Sequence, residues 1–192
     1  MGRPAAHDAD QLLDAAAELF ARGGARALTM AAVARASGAA SGSVYHRFPD
    51  RAALLAALWL RTVSRFQQGY REAIGEQPTP DGVAAAGAWV VTWCRDHLPE
   101  AIVLQAGARA FDPDTWSAAN RKALAENEAA VREFARRTVE TIAAQAQRPR
   151  DQVAFTVFEL PLAVMRSSLR AGRRPPARDV ELVRGLTAAF IH

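Results

Sequence analysis

Residues 28–48 read Leu28-Thr29-Met30-Ala31-Ala32-Val33-Ala34-Arg35-Ala36-Ser37-Gly38-Ala39-Ala40-Ser41-Gly42-Ser43-Val44-Tyr45-His46-Arg47-Phe48. Two short helical patterns lie on either side of a tight turn. Ala32, Val33 and Ala36 form the inner face of the first, and Val44 and Phe48, four apart, form that of the second. Thr29 suits a helix N-cap, because its hydroxyl accepts a hydrogen bond from a free amide of the first turn. Gly38 suits the left-handed residue that a turn after a helix needs. Ser41 is expected to cap the next helix. Asp50, after Pro49, is expected to cap the one after that, which opens with Arg51. Ser43, Tyr45, His46 and Arg47 point away from the core face. A helix whose outer face is small and hydrogen-bonding can enter a major groove and approach base edges.

Toward the N-terminus, Leu12, Leu13, Ala16, Leu19 and Phe20 recur at helical spacing. That helix is expected to begin near Asp8 and to end at Gly23-Gly24. Charge is uneven along the chain. The whole carries +4, yet residues 22–71 hold eight arginines (Arg22, Arg26, Arg35, Arg47, Arg51, Arg61, Arg65, Arg71) against one acid, Asp50. Such a patch suits a polyanion, since each arginine that meets a phosphate releases condensed counterions. A solvated basic surface has the same composition.

Toward the C-terminus, Ala, Leu, Arg, Glu and Gln dominate, and no strand-like alternation interrupts them. The chain therefore reads as all-α, with about nine helices. The breaks fall at Gly38, Pro49-Asp50, 75–82, Leu98-Pro99, Asp112-Pro113-Asp114, Arg148-Pro149-Arg150 and 172–176. A chain of 192 residues that is 50% hydrophobic buries a core without difficulty. Its apolar runs are cut by charges well before the roughly 20 residues that span a bilayer. No apolar segment follows Met1-Gly2-Arg3-Pro4, so a cytoplasmic protein is expected. The one cysteine, Cys94, excludes an internal disulfide and a multi-thiolate metal site.

Enzyme signatures are lacking. There is no phosphate-cradling glycine loop, no nucleophile elbow and no metal-ligand pair at helical spacing. His7, His46, His97 and His192 are scattered. Cys94, Asp96 and His97 form the one cluster with a reactive look, and no oxyanion hole flanks it. The chain is therefore expected to be no enzyme and to need no cofactor.

The segment from about residue 8 to 58 resembles the DNA-binding domain of the tetracycline-repressor (TetR) family. The matching text is Leu13-Asp14-Ala15-Ala16-Ala17-Glu18-Leu19-Phe20 with Gly23, then Leu28 to Ala34 with Ala36-Ser37-Gly38. Ser41 to Phe48 and Asp50-Arg51 with Leu54-Leu55 complete it. The resemblance implies a three-helix helix-turn-helix domain over 1–50 and a helical effector-binding and dimerisation domain over 51–192. It implies that Thr29 and Tyr45 bond phosphates. Ser41, Gly42, Ser43 and His46 would lie at or near base edges. Arg51, where the family often has Lys, would meet a phosphate, and Arg3 would reach the minor groove from an N-terminal arm. Two departures stand out. Ala39-Ala40 replaces a turn that usually carries Val, and Arg47, in a place often held by an aromatic residue, would add a phosphate contact.

The family's C-terminal domain binds a small effector in a cavity. Here Trp89, Trp93 and His97 lie on the fifth helix, and Asn120, Asn127 and Phe134 share one stripe of the seventh, expected to start near Asp114. Amides on an apolar stripe suit either a polar pocket wall or bonds to neighbouring helices. Arg109 and Trp116 would close such a cavity, and Phe158 would line it from the eighth helix; each tryptophan suits plain core as well. The eighth helix is apolar over an arc wide enough to need cover on two sides. The resemblance makes one of those covers a second copy of the chain, through the last two helices. Pro161 is expected to kink the eighth helix. The expected partners are thus a DNA operator, a homodimer mate and a small effector of unknown identity. The alternative is a regulator without a small ligand, controlled by a protein partner or by the redox state of Cys94.

Overall fold

The computed structural model describes residues 5–191, with side chains from residue 9 onward. It is all-α, as expected from composition. The order is α1 (Ala5–Gly23), α2 (Met30–Ser37), α3 (Ser41–Arg47), α4 (Arg51–Ile74), α5 (Pro80–Asp96), α6 (Leu98–Ala106), α7 (Ala118–Ala146), α8 (150–170) and α9 (Arg178–Ile191). Short 3₁₀ turns lie at Ala25–Ala27, Ala108–Phe111 and Pro113–Thr115. Among the described residues, no helix is long and apolar enough to cross a membrane.

Four boundaries differ from the sequence reading. α1 starts at Ala5 rather than near Asp8. The α3 N-cap is Ala40 rather than Ser41, which becomes the first helical residue. α5 starts at Pro80, because Thr79 accepts a bond from the Gly82 amide at 3.0 Å and proline fits a first helical position. α7 starts at Ala118 rather than near Asp114. Asp112 has a φ of 50°, a 3₁₀ turn follows, and Ser117 Oγ accepts from the Asn120 amide at 3.2 Å.

The chain packs as two units. The first runs to Val63 and takes in residues 99–124; the second comprises 64–98 and the residues from 125 onward. This division differs from one at residue 50, because the first half of α4 and the α6–α7 connection bury apolar side chains with α1–α3. Leu12, Leu28, Val33, Val44, Leu54 and Leu58 are almost wholly buried there. The Phe111 ring stacks on Phe20 at 4.7 Å and lies 5.4 Å from Trp59. Trp116 is buried beside them, and its indole N–H donates to the Phe111 carbonyl at 2.7 Å.

In the second unit α5 packs chiefly against α9. α8 is not uniform. A π-helical turn over Phe155–Glu159 interrupts it just ahead of Pro161. Proline has no N–H for the carbonyl four residues back, that of Val157. The buried hydroxyl of Tyr70 donates to that carbonyl at 3.0 Å instead.

Candidate nucleic-acid interface and sensor site

The helix-turn-helix is built by local bonds. Thr29 is extended, with a φ of −117°, and its Oγ1 accepts from the Ala32 amide at 3.1 Å. Gly38 sits at a φ of 69°, where an L side chain is strained, and its N–H bonds the Ala34 carbonyl. Ala39 N–H returns to the same carbonyl at 3.1 Å, so the turn closes without the Val of the family pattern. Asp50 Oδ1 accepts from the Ala53 amide at 2.7 Å and starts α4, as expected. Val44 and Phe48 are buried and anchor α3. The outer face of α3 is left to solvent. Ser41, Gly42, Tyr45 and His46 are exposed, and Ser43 and Arg47 are half-buried. Tyr45 is 56% exposed, which for a tyrosine beside a buried anchor marks a face without cover inside the chain. Thr29 is exposed too. Arg3 lies outside the described residues.

Arg51, expected to meet a phosphate, also bonds within the protein. Its Nε donates to the Leu28 carbonyl at 2.9 Å, and its Nη2 donates to that of Ala25 at 2.6 Å. Its Nη1 lies 3.9 Å from Asp112 Oδ2. The guanidinium thus satisfies two carbonyls ahead of α2 while the side chain stays partly exposed.

Residues 12–58 match the family model described as bacterial regulatory proteins, tetR family. Through this segment the chain carries the N-terminal DNA-binding domain of the TetR family. The helix-turn-helix it forms supports a DNA-binding regulator. The fold extends the likeness over almost the whole chain. A tetR-family regulator from Rhodococcus RHA1 superposes with a TM-score of 0.71 at 18% identity, covering 96% of each chain. The ketosteroid regulator KstR2 of Mycobacterium tuberculosis gives 0.71 at 18%, covering 95% of this chain and 92% of its own. The fatty acid degradation regulator FadR from Bacillus halodurans gives 0.65 at 16%, covering 93% and 97%. No curated protein matches the chain.

The residues expected to line an effector cavity fall into both units. Arg109, Trp116 and Asn120 lie in the first, where Trp116 is core. Trp89, Trp93, His97, Asn127, Phe134 and Phe158 lie in the second. There an aromatic cluster gathers about Tyr70, which sequence reasoning passed over. Phe66, Trp89, Phe134 and Phe158 all come within 6.3 Å of its ring. Phe66 also meets Trp93 edge-on at 5.0 Å, and Trp93 lies 5.1 Å from His97. A Cβ on Gly69 would fall 2.3 Å from the Trp89 ring, so only glycine lets that indole lie against α4. The spacing of Phe66 and Tyr70, four apart on α4, was the signal for this wall.

Asn127 exchanges two hydrogen bonds with Gln67 of α4, each 2.9 Å, and both amides line a cavity of about 310 Å³. The interior among Phe66, Tyr70, Val157 and Phe158 leaves a cavity of only about 60 Å³. More room opens between α4 and α7, in a cavity of about 660 Å³ lined by Arg71, Glu72, Glu76, Phe134, Arg137 and Thr138. The Arg71 guanidinium lies over the Phe134 ring at 5.5 Å.

Cys94 is 3% exposed, and burial pushes its thiol up to about 12. Thiolate is the reactive form, so burial disfavours reaction of this sulfur. Burial also raises the Tyr70 hydroxyl, which stays a donor throughout the neutral range.

Proposed function

We propose that the protein is a homodimeric repressor that binds a palindromic operator through α3 and is released by a small effector. The observation that carries this reading is the bare outer face of α3, held by a buried Val44–Phe48 anchor in a tetR-family domain. Tyr45 and Thr29 bond phosphates, while Ser43 and His46 read bases.

The dimer follows from apolar side chains without cover in one chain. Phe155, Leu162, Leu182 and Leu186, on α8 and α9, are 40–56% exposed. Exposed apolar patches of this kind mark interaction sites. A second copy pairing α8 and α9 with its own covers them.

The effector binds in the second unit, against the aromatic cluster and the cavity between α4 and α7. A cavity of about 660 Å³ is of the size that holds drug-like ligands. α4 supplies residues to both units, and a ligand that shifts it changes the spacing of the two recognition helices. That spacing must match about one turn of DNA, roughly 34–36 Å, or a multiple. Effector and operator therefore weaken each other's binding, by about 1–3 kcal/mol as is typical of coupled sites.

The test is a gel shift with the DNA flanking the protein's own gene, repeated with candidate ligands. A shifted palindromic fragment that a ligand releases supports the reading. Failure to shift any flanking fragment removes the operator assignment. A ligand that binds free and operator-bound protein equally well removes the release mechanism.

A further inference from the structure

We infer that Arg51 does not contact DNA but staples the α1–α2 connection from inside, and that Arg26 on the outside of that connection supplies a phosphate contact. The inference rests on the DNA-binding reading above.

The connection is a single 3₁₀ turn, Ala25–Ala27, followed by extended Leu28 and Thr29. It must place the Thr29 hydroxyl and the first turn of α2 at a fixed position. Its own backbone gives little support. The Leu28 amide bonds Ala25 and the Thr29 amide bonds Ala27, each at 3.2 Å. The Leu28 carbonyl precedes α2 and has no amide partner within the helix. Arg51 fills this gap. Its planar fork reaches the Leu28 and Ala25 carbonyls with two nitrogens, and the third faces Asp112. Lysine, a point charge on a flexible stem, lacks that fork. Nε and Nη2 are thus held by carbonyls, and Nη1 faces the Asp112 carboxylate at 3.9 Å.

Arg26 has the opposite surroundings. It sits at the centre of the stapled turn, three residues before Thr29, and is exposed. Its neighbour Ala25 packs inward on the core cluster, so the turn shows Arg26 to solvent. Among the described residues Arg26 makes no hydrogen bond and no ion pair, unlike nearby Arg22, which pairs with Glu18 at 3.4 Å. A free guanidinium beside the proposed phosphate ligand Thr29 fits the phosphate next along the same strand.

The measurement is binding of the full-length protein to a labelled duplex of arbitrary sequence, followed across a salt series. Each phosphate contact adds about 0.9 to the slope of log affinity against log salt. Arg26→Gln is expected to lower the slope by about 0.9, and to weaken binding by about eightfold at about 0.1 M salt, for each bound chain, whatever the sequence. Its melting temperature should match the parent's. Arg51→Lys is expected to melt lower and bind more weakly with the parent's slope, because charge remains and the fork is lost. Arg51→Met, measured where circular dichroism shows it folded, should also keep the slope.

A parental slope for Arg26→Gln overturns its half of the inference. Parental melting and affinity for Arg51→Lys, or a slope lowered by about 0.9 per bound chain in Arg51→Met, overturns the other half. A parent protein that binds no duplex in a salt-dependent way overturns the DNA-binding reading itself.

Discussion

The two units bury their aromatic rings differently. In the first, Phe20 and Trp59 both lie within 5.4 Å of the Phe111 ring, and Phe111 and Trp116 are almost fully buried. In the second, Phe66, Trp89, Trp93, Phe134 and Phe158 are only half-buried about Tyr70, and cavities open beside them. A reader of DNA needs one fixed geometry, since its recognition helices must hold their register. A sensor needs surface that a ligand can take over. Dense ring packing serves the first need and loose ring packing the second.

The largest expected effect breaks the first side of this comparison. Phe111→Ala removes a ring stacked on α1 and is expected to cost about 3–5 kcal/mol in urea unfolding, since no half-open site is there to collapse into. Phe158→Ala in the second unit should cost clearly less. Equal costs would show that the two cores are equally tight.

Next comes the surface of the second unit. Each leucine side chain covered at an interface contributes about 1.5–3 kcal/mol. Leu182→Asp with Leu186→Asp should therefore turn the proposed dimer into a monomer by light scattering, with helix content kept. A parent that is itself a monomer at micromolar concentration removes the basis for this face.

A smaller effect sharpens the contrast inside the second unit. Tyr70→Phe strips the Val157 carbonyl of its donor, and Pro161 cannot replace it. An unsatisfied buried carbonyl costs about 1–3 kcal/mol, so thermal denaturation should show a loss of that size. No change would mean that another group bonds that carbonyl in solution.

The smallest effect concerns Cys94. Native protein should leave it unlabelled by a disulfide reagent at neutral pH, and unfolding should expose it at once. Its folded thiol lies above the ordinary value of 9.0, at about 12. Protonated sulfur is thus favoured in the fold, so its contribution to stability is complete below pH 9 and fades between about 9 and 12. Cys94→Val should flatten the alkaline fall in melting temperature over that window. Rapid labelling of the native protein would contradict its burial.

How much of this was legible in the sequence follows the same division. Thr29, Gly38 and Asp50 do in the structure what their residue types predict, because caps and turns are decided within four residues. The α3 anchor pair was legible for the same reason. Arg51 was not, because its partners at Ala25 and Leu28 lie 26 and 23 residues away. Trp116 and Asn127 were placed on a cavity wall by pattern alone. One proved to be core of the first unit, and the other lines a cavity while paired with Gln67 across 60 residues. Helical period says which face is inward, and it is silent on what that face meets.

The central claim is that α3 reads DNA, and selection of bound duplexes from a random library tests it most directly. Parent protein should enrich a palindrome. Ser43→Ala should change the preferred base at one position in each half-site, since a base contact discriminates by about 1–3 kcal/mol. Tyr45→Phe should recover the parent's palindrome with weaker binding throughout, having lost only a phosphate bond. A parent that enriches no sequence, or a Ser43→Ala variant that enriches the parent's sequence unchanged, contradicts the account.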